Sequence, residues 1–286
     1  MTLRLAVLCP DPADPLYGER ILPPISGYSA IFHELGVEVT PHPWVQPAPA
    51  DVDGVLAGLA WGYHFQLDAW TAMLRDWNPT TPLINPPSVL LWNTRKTYLK
   101  ALAAEGVRII PTLTPLETSA SVVEAAFEQF NSDTLVIKPL VSAGSHLTTR
   151  LRRGEAAPAP AADRMIQPYL PSVAEEGEWS LFYFGGRFSH AVRKVAAPDD
   201  FRVQPQFGAR LSAFTPTDEA FDLAARTLAA APDGLVYARI DMVRDLEGRL
   251  ALMELEAIEP DLYFSLAPDR GRAFAEAVLV ALKKQP

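Results

Sequence analysis

Near the carboxyl end, two apolar runs at 235–243 and 250–255 flank the polar stretch Asp245-Leu246-Glu247-Gly248. This is the pattern of two strands joined by a tight turn. Arg239 and Asp241 are two residues apart in the first run, and Glu254 and Glu256 in the second. Side chains two apart on a strand share a face. A hairpin folded about Glu247 and Gly248 sets Asp241 close to opposite Glu254. One patch of sheet then carries three carboxylates and an arginine, which is electrostatically costly unless a cation neutralises it. Oxygen-only ligands suit Mg²⁺ or Mn²⁺, commonly shared with substrate phosphates. From the hairpin alone, a solvated strand pair is the alternative.

The remainder of the chain has to supply what such a site would serve. Its 286 residues carry a net charge of −9, with no dominant basic stripe, which argues against nucleic acid or an anionic membrane as partner. Any phosphate site must therefore be local. Cys9 is the only cysteine, so an intrachain disulfide and a cysteine-based metal site are excluded. The opening apolar run is cut short by Pro10, and none approaches the roughly 18 residues of a membrane span. The cytoplasm is the expected compartment.

Strand and helix alternate at short spacing over the first ninety residues: strands at 3–9, 37–40, 52–59 and 83–85, helices at 27–35 and 66–77. That alternation predicts a parallel sheet of the α/β class. A boundary falls near 86–93. Beyond it the pattern is α+β: helices at 95–105, 119–130, 217–231 and 269–283, with strands at 134–138, 164–168, 178–184 and 187–195 and the opening hairpin. No internal repeat is evident.

Lys138 ends an apolar strand and is followed by a small, hydroxyl-rich stretch containing Ser142, Gly144 and Ser145. Backbone N–H groups and an ammonium can hold a phosphate there, although an ordinary strand end has the same look. Lys96 sits at a predicted helix start, where a cation opposes the helix dipole unless an anion binds. Residues 165–170 form an edge segment interrupted by Pro168, leaving backbone groups free for a flat heterocycle or simply for a linker. Glu178 opens a strand, Arg193 and Lys194 close its return arm, and Arg202 lies in a polar loop. Singly, each reads as surface charge. The stretch Trp61-Gly62-Tyr63-His64 follows a strand and can line a cleft or pack a core. No histidine pair has ligand spacing, and neither Gly-x-Ser-x-Gly nor Gly-x-Gly-x-x-Gly occurs.

Taken in order, these pieces resemble the ATP-grasp ligases over essentially the whole chain. The resemblance implies an ATP-grasp fold behind an N-terminal parallel-sheet domain, with units at 1–92, 93–170 and 171–286. It implies that Lys96, Lys138 and Lys194 contact ATP and that Ser142, Gly144 and Ser145 belong to a loop over the phosphates. Gln167, Tyr169 and Leu170 would hold adenine, and Glu178 the ribose. Asp241, Glu254 and Glu256 would bind Mg²⁺, with Mn²⁺ an alternative. Arg239 would steady the transferring phosphoryl group, and Arg193 and Arg202 the acyl phosphate and substrate carboxylate. Three departures stand out. Many relatives have Asn where Glu256 stands, the loop is poorer in glycine, and Asp199-Asp200 replaces Gly-Asp or Gly-Glu.

The implied reaction joins a small carboxylate to an amine through an acyl phosphate, releasing ADP and phosphate. Positioning and charge neutralisation suffice for its first step. A cyclo-ligase of the cycloserine-forming type shares that half-reaction. A non-catalytic ATP-binding module would not need every one of these residues, and a metal hydrolase would leave the lysines unexplained. Glu259 and Asp261, just past the hairpin, point to an amine-bearing substrate. A homodimer is the statistical default for such a chain.

Overall fold

A computed structural model gives the architecture of residues 2–197, 202–203 and 208–284. The first apolar run forms β1 (Leu3–Cys9), buried from Leu5 onward. Strands β2 (Val37–Pro43), β3 (Gly54–Leu56) and β4 (Leu83–Ile84) complete a wholly parallel sheet in the order β2-β1-β3-β4. β2 runs past Thr40 through two prolines because it is an edge strand, where a missing N–H disturbs no ladder. Helix α1 (Leu22–His33) starts well before residue 27, since Pro23 and Pro24 occupy its first turn. Helix α2 (Leu67–Arg75) carries Asp68 at its start and Arg75 at its end, both favourable to its dipole.

The span 86–93, read as a boundary, carries a helix, α3 (Pro87–Thr94), again begun by proline. After a break at Arg95–Thr97 comes α4 (Tyr98–Ala104), so Lys96 lies between two helices rather than within one. Helix α5 (Ala120–Phe130) is capped by the Ser119 hydroxyl, which accepts from the Val122 N–H, and is ended by left-handed Asn131. Strands β5 (Thr134–Pro139), β6 (Thr149–Arg152) and β7 (Arg164–Pro168) make an antiparallel sheet in the order β6-β5-β7.

After the short helix α6 (Ser172–Glu175) come β8 (Glu178–Phe184), β9 (Arg187–Val195), β10 (Arg210–Ala213), α7 (Asp218–Ala230), β11 (Tyr237–Arg244) and β12 (Leu250–Glu256). The strands form one antiparallel sheet, ordered β10-β9-β8-β11-β12. Helix α8 (Arg272–Lys284) closes the described chain.

The parallel sheet and the five-stranded sheet share a core. Leu5, Val7 and Phe32 cluster with Phe182, Tyr237 and with Phe274 and Val278 of α8. Buried side chains stitch the same junction. Asn85 donates to the carbonyls of Tyr237 and Ala257 and accepts from the N–H groups of Val236 and Tyr237. Asn93 donates to Leu255 O at 2.8 Å and accepts from Ala257 N at 2.9 Å, while the Tyr98 hydroxyl bonds both backbone groups of Leu255. Satisfied buried polar groups of this kind fix one arrangement of β12 relative to the helices. Among the described residues, no helix is long and apolar enough to cross a membrane.

Candidate functional site

A cleft of about 750 Å³ is lined by residues of the two antiparallel sheets and of the loops around them, among them the Trp61–His64 stretch that follows β3. Its floor is the β11–β12 hairpin. The register pairs Arg239 with Glu256 and Asp241 with Glu254, the pairing that residue spacing and turn position imply. Between Asp241 and Met242 the register shifts by one residue, leaving Met253 of β12 without a partner. This bulge lets Met253 line the cleft beside Glu254, a side-chain direction that strict alternation forbids.

The floor is densely ion-paired. Arg239 donates from Nε to both Asp241 oxygens at 3.0 Å, from Nη2 to Asp241 Oδ2 at 2.8 Å, and from Nη2 to Glu256 Oε1 at 2.5 Å. Asp241 also accepts from the Ser180 hydroxyl at 2.5 Å and from Lys194 Nζ at 3.5 Å. Lys194 pairs in addition with Glu178. Lys96 joins Glu254 Oε1 at 2.9 Å and donates to the Ser142 carbonyl at 3.0 Å, tying the β5–β6 loop to the hairpin.

Burial and charge compete over each of these groups. Burial works to raise Asp241, but Arg239 and Lys194 hold it well below the usual carboxylate range. Burial likewise opposes ionisation of Glu254, yet Lys96 and Lys138 keep it low. For Glu178 burial outweighs Lys194 and the group rises to about 7. Glu256 also rises to about 7, through burial against the pull of Arg239. Lys138 is lowered by burial, whereas Asp241 and Glu178 overcome burial at Lys194 and raise it. Glu259 is raised well above its ordinary value by burial and then by Glu256. Both effects disfavour its charged form.

Most residues singled out from sequence line this one cleft: Lys96, Lys138, Ser142, Gly144, Ser145, Gln167, Tyr169, Leu170, Glu178, Lys194, Arg202, Arg239, Asp241, Glu254 and Glu256. Gln167 to Leu170 lie toward the apolar end, where Ile110, Leu170 and Met253 pack together. Arg193 is the exception. It precedes Lys194 on β9, so alternation turns it away, and its Nε donates to the Glu176 carbonyl outside the cleft. Asp199 and Asp200 lie outside the described residues. Tyr17, Arg20, Ile110, His146 and Met253 also line the cleft and were not read from sequence. They sit on loops or at the bulge, where no periodic pattern marks a direction.

Whether a divalent ion suits this floor turns on which oxygens remain. Among the described residues, no three His, Cys, Asp or Glu side chains converge in metal-holding geometry. Asp241 explains this, since Arg239, Lys194 and Ser180 occupy both its oxygens. Glu254 and Glu256 each spend Oε1 on a cation and face the cleft, 22% and 26% exposed. Two such carboxylates fit Mg²⁺, which commonly takes its other oxygens from water and substrate phosphates. Asp241 joins them only when Arg239 releases it.

No family model matches the chain. The cycloserine biosynthesis protein DcsG of Streptomyces lavendulae is 32% identical to it over 222 residues, which span 71% of this chain and 74% of DcsG. The crystal structure of D-cycloserine synthetase DcsG superposes with a TM-score of 0.83 at 26% identity, covering 98% of this chain and 99% of that one. The ATP-grasp ligase PsnB, solved with Mg and ADP, shares the fold at a TM-score of 0.68 and 15% identity, covering 99% of each chain. Together with a cleft floored by a hairpin of paired cations and carboxylates, these likenesses show that the chain belongs to the ATP-grasp ligases and is an ATP-dependent enzyme of that superfamily.

Proposed function

We propose that this ligase activates a small carboxylate as its acyl phosphate and joins it to a nitrogen, releasing ADP and phosphate. The observation that carries the reading is the hairpin floor, with Arg239 against Glu256 and Asp241 against Glu254, facing Lys96, Lys138 and Lys194 across one cleft. In the first step a carboxylate oxygen bonds to the γ-phosphorus and the bond to the β-phosphate oxygen breaks, leaving ADP. Lys96 and Lys138 neutralise phosphate charge, and the stretch with Ser142, Gly144 and Ser145 covers it. Gln167, Tyr169 and Leu170 hold adenine at the apolar end, and Glu178 takes ribose hydroxyls. Arg239 moves from Asp241 toward the phosphoryl oxygens, and Arg202 faces the substrate end. Mg²⁺, or Mn²⁺ in its place, held by Glu254 and Glu256 with Asp241, supplies further neutralisation of the phosphate oxygens.

In the second step the nitrogen attacks the acyl carbon and phosphate leaves with the electron pair of the broken C–O bond. The nitrogen belongs either to a separate amine or to the same molecule. The second arrangement, ring closure, is supported by the 32% likeness to a cycloserine biosynthesis protein. The test is ADP release from Mg·ATP with a panel of L- and D-α-amino acids, with and without hydroxylamine as trap. A hydroxamate accompanied by ADP is the expected result. Without the trap, one molecule lighter by one water identifies ring closure, and two molecules joined with loss of one water identify ligation. Tight nucleotide binding with no ADP release from any member would return the chain to a nucleotide-binding module.

A further inference from the structure

His64 sits in a single turn of 3₁₀ helix, Tyr63–Phe65, entered through Gly62 in the left-handed region at φ 86°. Its side chain lines the cleft. Its ring packs on Phe65 with centroids 4.1 Å apart and meets His146 of the phosphate-covering loop at 5.9 Å. Both of its ring nitrogens are buried without a hydrogen-bond partner, and among the described residues no other buried side-chain nitrogen or oxygen is left so. An orphaned buried imidazole costs stability, and packing alone does not explain it, since a phenyl ring would fill the space without that cost. The nitrogens are free for a group that arrives with the substrates.

We propose that His64 is the base of the second half-reaction, accepting the proton of the nitrogen that attacks the acyl phosphate; this rests on the ligase reading above. As the C–N bond forms, the C–O bond to phosphate breaks with its electron pair on phosphate. The proton that the nitrogen then sheds passes to an imidazole nitrogen of His64. The buried carboxylates around the hairpin floor are engaged elsewhere or held protonated. Glu178, Asp241, Glu254 and Glu256 are each ion-paired to a lysine or arginine. Burial holds Glu259 and Tyr63 protonated. Burial also keeps His64 neutral, lowered to about 4, with His146 and then Lys96 adding to the effect. So weak a base takes the proton only after bond formation has made the nitrogen acidic, and phosphate charge arriving beside Lys96 strengthens it.

Hydroxylamine, supplied in large excess, can pass the proton it sheds on bond formation to a second hydroxylamine molecule, so it isolates the first half-reaction. The experiment compares amide and hydroxamate formation from the amino-acid panel by wild type, His64→Asn and His64→Gln. Mg·ATP affinity and thermal midpoint serve as checks that each variant is folded. The amide-to-hydroxamate ratio is expected to fall by at least about 10²-fold in a folded variant. Added imidazole is expected to restore the ratio in His64→Ala. An unchanged ratio, with both products kept or both reduced equally, would overturn the assignment and leave His64 a packing residue. If wild type yields no hydroxamate from any member, the ligase reading falls and the inference with it.

Discussion

Arg239 shows how one residue can set the state of a whole site. Its guanidinium binds both oxygens of Asp241 and one of Glu256, so it fixes which carboxylates are available and how acidic they are. A lysine cannot reproduce that fork. Arg239→Lys is expected to lower ADP release by about 10²-fold or more. Arg239→Met, which leaves Asp241 short of a buried partner, is expected to cost about 3–5 kcal/mol in denaturant unfolding. Glu254→Gln tests the metal assignment apart from the fold. Its loss of turnover should again reach about 10²-fold in a chain that still unfolds cooperatively, although the lost pair with Lys96 lowers its midpoint, and a near-normal rate would remove Glu254 from the site. Much at this scale was legible, because a turn at Glu247-Gly248 and a period of two leave little choice of register. The same period should have excluded Arg193, since neighbours on a strand cannot both face one cleft. His146, Tyr17 and Arg20 were illegible for a different reason: their direction comes from loop geometry, not from any repeat in the sequence.

Elements were read best where burial imposes a pattern. β8 is buried along its whole length and β11 nearly so, and both were placed within a residue or two. β6 and β10 were missed because they are short, polar edge strands, Thr-Arg-Leu-Arg and Arg-Leu-Ser-Ala, with little apolar alternation to show. α3 was missed because Pro86-Pro87 looks like a break, while Pro87 in fact opens a helix whose Asn93 reaches β12. One glycine matters to how an element positions the site. Gly177, at φ +85° just before β8, lies where a Cβ would come 2.4 Å from the Lys194 carbonyl oxygen. Gly177→Ala must push β9 away and draw Lys194 off Glu178 and Asp241. The expected outcome is a destabilisation of about 1–3 kcal/mol together with a several-fold rise in the KM for ATP. A variant that is destabilised with unchanged KM would show that Lys194 takes no part in nucleotide binding.

At the scale of the molecule, the N-terminal sheet and the five-stranded sheet share one core, and the Trp61–His64 stretch that follows β3 lines the same cleft as the hairpin. α8 packs Phe274 and Val278 between the N-terminal sheet and β8–β11, and Asn85 and Asn93 lock β12 to the segment that carries Lys96. No sequence pattern announces such a junction, since each side chain contributes one long-range contact. The cost of assembling so many charges there is measurable as pH dependence. Glu178 titrates near 7 in the folded protein against an ordinary 4.5, and Glu256 does the same. Between those values the folded chain holds protons that the unfolded chain has lost. These two groups therefore lower stability as pH rises from about 4.5 to 7; raised Glu259 extends the fall above that, while His64, lowered to about 4, opposes it up to about 6.5. Asp241, depressed, and Lys194, raised, act outside this window: the first is felt below about pH 4, the second only in strong alkali. The thermal midpoint of the nucleotide-free protein is thus expected to drop between pH 5 and 7.5. Glu178→Gln, which cannot titrate, should show a shallower drop, the remainder belonging to Glu256 and Glu259. Saturating Mg·ATP should raise the midpoint at every pH, because ligand bound only by the folded state stabilises it by mass action. An identical slope in Glu178→Gln and wild type would mean that Lys194 keeps Glu178 ionised and that charge, not burial, decides its state.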